Sequence, residues 1–198
     1  MLHLIFQWIG NNYIELLGSI LGFAYILLSI KQNIWCWPVG LATSALYIFV
    51  FFVTKFYADM SLQVYYVIAS IYGWFHWMYG ARSKKSDDLK ISKISKKMAV
   101  LLLVINAILF WIIAYVLIHF TDSEIPYWDA FTTAASFVAT WMLARKMIEH
   151  WIIWVIVDAV SLGLYFYKGL YPTVILFAIY TAMAVIGYIQ WKKQLTQQ

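Results

Sequence analysis

Charge is what this chain has least of. Only 12% of its 198 residues are charged, whereas 64% are hydrophobic, and a soluble domain carries about 25% charged residues. With mean hydropathy at +0.77, a soluble catalytic or nucleic-acid-binding domain is excluded and an all-α integral membrane protein is expected. Cysteine is nearly absent too. Cys36 stands alone, which rules out an intrachain disulfide, a thiolate metal cluster or a redox pair and leaves a small apolar residue at a helix start. No Gly-x-Ser-x-Gly elbow, His-Glu-x-x-His zinc motif or phosphate-binding Walker loop occurs, so no enzyme, cofactor or metal is expected. His3, His76, His119 and His150 fall at or near span ends, where interfacial roles are expected. The segment Met1 to Gly10 lacks a basic n-region and a small-residue cleavage site, and reads as a surface or interfacial segment.

What is present is a series of long apolar runs, near 13–30, 34–53, 59–80, 98–120, 128–144, 151–167 and 172–191. Seven runs of this kind predict seven transmembrane helices in one membrane domain over 1–198. Basic residues orient them. With the N-terminus outside, the cytoplasmic side holds twelve lysines and arginines (Lys31, seven in the 81–97 loop, Arg145, Lys146, Lys192 and Lys193) and the outside only Lys55 and Lys168. The positive-inside rule therefore predicts N-out and C-in. The net charge of +5 is explained by topology, and the basic loop reads as a solvated connector.

The chain also repeats. An offset of 114 pairs Tyr57 with Tyr171, Leu62 with Leu176, Tyr66 with Tyr180, Gly73 with Gly187 and Trp77 with Trp191, while an offset of 117 lays Trp37 on Trp154. This predicts a three-helix repeat over 13–80, a linker helix over 98–120 and a second repeat over 128–191. An odd linker gives both repeats the same orientation, a 3+1+3 parallel arrangement, and such repeats commonly enclose a substrate path.

Candidate site residues lie on helix faces. Trp151, Trp154 and Asp158 occupy i, i+3 and i+7 of the sixth span, and the stripe continues through Ser161 to Tyr165. A carboxylate in such a segment costs about 2.5–3.5 kcal/mol and is expected to face the bundle interior or a water-filled cavity. The second span carries Thr43, Ser44 and Tyr47 after Pro38, and the third carries Gln63, Tyr66 and Ser70, with Tyr180 the repeat partner of Tyr66. Aromatic faces, one carboxylate and several hydroxyl or amide groups suit a flat, polar, cationic heterocycle. Trp77, Trp128 and Trp191 are expected in the interfacial aromatic belt, with Trp151 in that belt or at a gate. Gly18 and Gly22 form a small-x-x-x-small packing face. Asp158 is nearly alone among ionisable groups in the spans, Glu15 being placed at a helix start, and a proton relay needs several. Uncoupled, facilitated diffusion is expected.

The segments Asn33-Ile-Trp35-Cys-Trp37-Pro38-Val-Gly40, Leu62-Gln63-Val64 with Ile71-Tyr72-Gly73-Trp74, and Ala144-Arg145-Lys146 with Trp151-Ile-Ile-Trp154-Val-Ile-Val-Asp158 closely resemble the Pnu-type vitamin transporters over roughly residues 16–193. The resemblance implies a seven-helix arrangement related to SWEET-type sugar transporters, a homotrimer in the bacterial inner membrane, and facilitated diffusion of a vitamin trapped by cytosolic phosphorylation. The family signature in the sixth helix is met by Trp151, Trp154 and Asp158. The nicotinamide riboside branch, PnuC, is associated with Asn at the last signature position and near Thr43. The thiamine branch, PnuT, carries another cationic ring. Asp158 and Thr43 slightly favour thiamine, whose lack of a ribose needs fewer orienting amides. A nicotinamide riboside transporter proper, a sugar facilitator of the same architecture and a non-transporting membrane scaffold are the alternatives.

Overall fold

The structure, a computed structural model, describes residues 17–18, 20–53, 57–80, 89–167, 169 and 171–197. Met1 to Gly10, Glu15, Lys55, Lys168 and residues 81–88 of the basic loop lie outside the described residues. Within them the chain is helical: α1 (Ile20–Ile30), α2 (Cys36–Val53), α3 (Tyr57–Tyr79), α4 (Lys96–Phe120), α5 (Pro126–Ala144), α6 (His150–Tyr167) and α7 (Tyr171–Gln197). The spans expected from hydropathy match α2 to α6 within two residues; residues 13–16 of the first expected span lie outside the described residues, and α7 runs six residues further than expected, through Lys192 and Lys193 to Gln197. By length and composition alone, α4, α6 and residues 173–197 of α7 are long and apolar enough to cross a membrane. Two compact units divide the chain inside α3, Met1–Trp74 and Phe75–Gln198.

In the second unit α4 packs on α5, α5 on α6 and α6 on α7. The α5 sequence explains its central place, because Ala130, Ala134, Ala135, Ser136, Ala139 and Ala144 are small, buried and let neighbouring backbones approach. The α4 side is sealed by Leu102, Val138 and Met142 with Ile94, Met98 and Trp141. The rest of α4 stays outward: Leu103, Trp111 and Phe120 are well exposed, as an apolar solvent would favour.

The same turn follows α1 and α5. After α1, Gln32 N–H donates to Ser29 O (3.0 Å) and Asn33 N–H to Leu28 O (2.9 Å); after α5, Lys146 N–H donates to Leu143 O (2.9 Å) and Met147 N–H to Met142 O (3.0 Å). These are Schellman closures. Their left-handed residues are Gln32 (φ 52°) and Lys146 (φ 51°), 114 positions apart, where glycine would be usual. The ends of α1 and α5 and the starts of α2 and α6 and of α3 and α7 keep that offset.

The basic loop is more than a solvated connector at its described end. Ser92 N–H donates to Lys146 O (3.0 Å), Ile148 N–H donates to Ser92 O (3.0 Å), and Ile94 N–H donates to Glu149 Oε2 (3.1 Å). Ile91 and Ile148 are buried alongside. Ser95 then caps α4, its Oγ accepting from Met98 N–H.

Candidate functional site

The α6 stripe is where chemistry concentrates. Asp158 is only 6% exposed, and no hydrogen bond or ion pair to it occurs among the described residues. Buried carboxylates are ordinarily paired, because desolvation costs several kcal/mol per ion. Ser161, one turn on, is buried too. Trp154 is half-buried. Tyr165 stacks on Phe177 of α7 (5.1 Å between centroids), which meets Tyr180 edge-on at 5.9 Å. One aromatic row therefore joins two of the expected site residues.

Trp151 is placed differently from its expected belt or gate position. It is 4% exposed and its ring lies against Gly187, where an added Cβ would come within 2.7–2.8 Å of the six-membered ring. His150 and Trp191 complete the cluster, with centroids 4.5 Å (His150–Trp151), 4.9 Å (His150–Trp191) and 5.7 Å (Trp151–Trp191) apart. In the first unit Trp37 lies against Gly73 in the same way. The offset of 114 thus holds here as well. Trp37 corresponds to Trp151, not to Trp154 as the offset of 117 had it, because the intervening turns have equal length.

The belt assignments of Trp77 and Trp191 are corrected also. Trp77 is buried, its Nε1–H donating to Ala144 O at 3.0 Å, and Lys146 Nζ sits 4.5 Å from its ring centroid. Trp191 is fully buried, whereas Trp128 is exposed. His150 is not interfacial: it is fully buried, with Nδ1 at 2.7 Å from Met147 O. A tryptophan next to a repeated glycine was the available signal, since a flat indole covers a site without Cβ.

In the first unit Thr43 Oγ1 donates to Val39 O of its own helix (2.8 Å), and Ser44 is buried. The Tyr47 ring and hydroxyl cover Gly18, ahead of α1, while Gly40 lies under Tyr25 and beside the Ser70 hydroxyl. Tyr66 adjoins Tyr65 (5.7 Å), and Gln63 is half-buried. A residue overlooked in the sequence is Asn106, whose enclosed Oδ1 has no hydrogen-bond partner among the described residues; a lone amide inside an apolar helix was its signal.

Apolar helices around a buried carboxylate, flanked by aromatic rings, suit a multi-pass α-helical membrane transporter. Residues 12–193 match the family described as Nicotinamide mononucleotide transporter, and the chain belongs to that family. It is 27% identical over 204 residues to the nicotinamide riboside transporter PnuC of Escherichia coli (strain K12), covering 91% of this chain and 85% of that protein. It is 28% identical over 180 residues to the riboflavin/roseoflavin transporter RibM of Streptomyces davaonensis, covering 89% and 83% respectively. The crystal structure of the vitamin B3 transporter PnuC shares the fold, with a TM-score of 0.76 at 20% identity over 98% of this chain and 87% of that one. A Pnu-type vitamin transporter is thus the family that the motifs pointed to.

Proposed function

We propose that the protein carries out facilitated diffusion of a vitamin with a permanently cationic aromatic ring, thiamine first. The observation that carries this reading is Asp158, buried without a counter-charge among the described residues. A cationic ring supplies that charge when it binds, and Trp154 offers it an aromatic face. Tyr165 and Tyr180, in the same unit, orient its polar groups. Asp158, where the nicotinamide riboside branch is associated with Asn, favours thiamine. The transporter sits in the bacterial inner membrane, N-out and C-in, as a 3+1+3 bundle in a homotrimer. Cytosolic phosphorylation of the vitamin gives uptake its direction.

A second reading, nicotinamide riboside itself, is favoured by the names of the PnuC relatives. Calorimetric titration of the purified protein with thiamine, nicotinamide riboside and riboflavin separates them. Tight binding of thiamine alone is the expected result. Binding of riboflavin alone removes the electrostatic argument, because that ring is neutral, and binding of none of the three overturns the assignment.

A further inference from the structure

The internal repeat is a control within the chain: what both halves keep serves the fold, and what one half alone carries serves the task. At the offset of 114, Trp37 on Gly73 and Trp151 on Gly187 are the same contact. Both rings are buried and both indole nitrogens are enclosed. Trp77 and Trp191, four residues beyond the two glycines, are buried in both halves as well. By contrast Trp154 falls on Gly40 and Asp158 on Ser44. The tryptophan and the carboxylate belong to the second half alone.

From this we infer that Trp151 is a positioning residue: seated on Gly187 and backed by His150 and Trp191, it locks the rotational phase of α6 and so aims Trp154 and Asp158. The sequence signature unites the three on one stripe, but the geometry separates the lock from the residues it aims. Consecutive helices joined through 168–170 run antiparallel. Counting from the Trp151–Gly187 contact, Asp158 lies seven residues along α6, about 10 Å at the helical rise of about 1.5 Å per residue. The same count along α7 reaches Tyr180. A rotation of one residue about the helix axis, about 100°, would carry Asp158 off that face, so a contact far from the ligand governs its geometry.

Part of this inference rests on the proposed vitamin site and part does not, and the experiment separates the two. Gly187→Ala, Trp151→Phe and the double variant of the full chain in detergent are compared for thermal midpoint and for binding of thiamine and nicotinamide riboside. Alanine is ordinarily the better helix residue, so a lower midpoint in Gly187→Ala reports the clash with the indole. The smaller phenyl ring introduced by Trp151→Phe lacks the atoms that the new Cβ would meet, and the double variant is expected to melt above Gly187→Ala. Binding measured below the midpoint is expected to fall about tenfold or more in Gly187→Ala and to recover about as much in the double variant. No thermal recovery overturns the lock. Thermal recovery with vitamin binding equal in all variants overturns its positioning role. A double variant that binds more weakly than Gly187→Ala overturns it as well and makes Trp151 a ligand contact. If wild-type protein binds neither vitamin, the function proposed above fails, while the thermal comparison still decides the lock.

Discussion

Replacing Asp158 by Asn keeps the shape of the side chain and removes its charge, and the two consequences have opposite sign. Asp158 is 6% exposed and its carboxylate has no hydrogen bond or ion pair among the described residues. A cation about 4 Å away gains about 4 kcal/mol at an effective dielectric of about 20. Part of this is offset by desolvating the ring, so a net loss of about 1.5–3 kcal/mol, about 10- to 150-fold in Kd, is expected on substitution. In the empty protein the same charge is a liability. Removing it is expected to stabilise the fold by about 1 kcal/mol, which raises the thermal midpoint by about 2–4 °C. Calorimetry and thermal melting of one preparation measure both effects. Unchanged affinity in Asp158→Asn would refute the electrostatic role, and a midpoint that falls would show that the carboxylate has a partner that stabilises it.

Trp154→Phe is expected to retain most vitamin affinity and Trp154→Ala to lose about 1 kcal/mol or more in the same titration, because the aromatic face rather than the indole N–H is used. Gln32→Gly is expected to raise the thermal midpoint by a few degrees, since its φ of 52° costs a non-glycine residue about 1 kcal/mol. Trp77→Phe removes a buried hydrogen bond to Ala144 O and weakens the Lys146 contact, and a loss of about 1–3 kcal/mol in thermal unfolding is expected. Ser92→Pro deletes the N–H that holds Lys146 O, and faster amide hydrogen exchange at Ile148 is the expected readout.

Most of the architecture could be read from sequence because lipid leaves a chain few choices. Runs such as 98–120 must be helical when no water is present to satisfy their backbone, and so the expected spans coincide with α2 to α6 within two residues. Asp158 stood out for the same reason, as a charge in an apolar stretch needs a purpose wherever it sits. The aromatic residues were harder. Trp77, Trp151 and Trp191 have the composition of an interfacial belt, and only packing shows that they are buried. His150 misled in the same way, since its place at a helix start is interfacial in sequence and enclosed by Trp151 and Trp191 in space.

The sequence by itself determined the solvent, the helices and the family, because hydropathy, periodicity and motif order are properties of a chain read in one dimension. Tertiary structure alone decided that Trp37 matches Trp151 and not Trp154, the docking of Ser92 on the α5–α6 corner and the division between Trp151 and the residues beyond it. Those depend on which surfaces meet. An indole signals belt, gate or lock identically in sequence, and becomes a lock only where a glycine on the neighbouring helix leaves room for its ring.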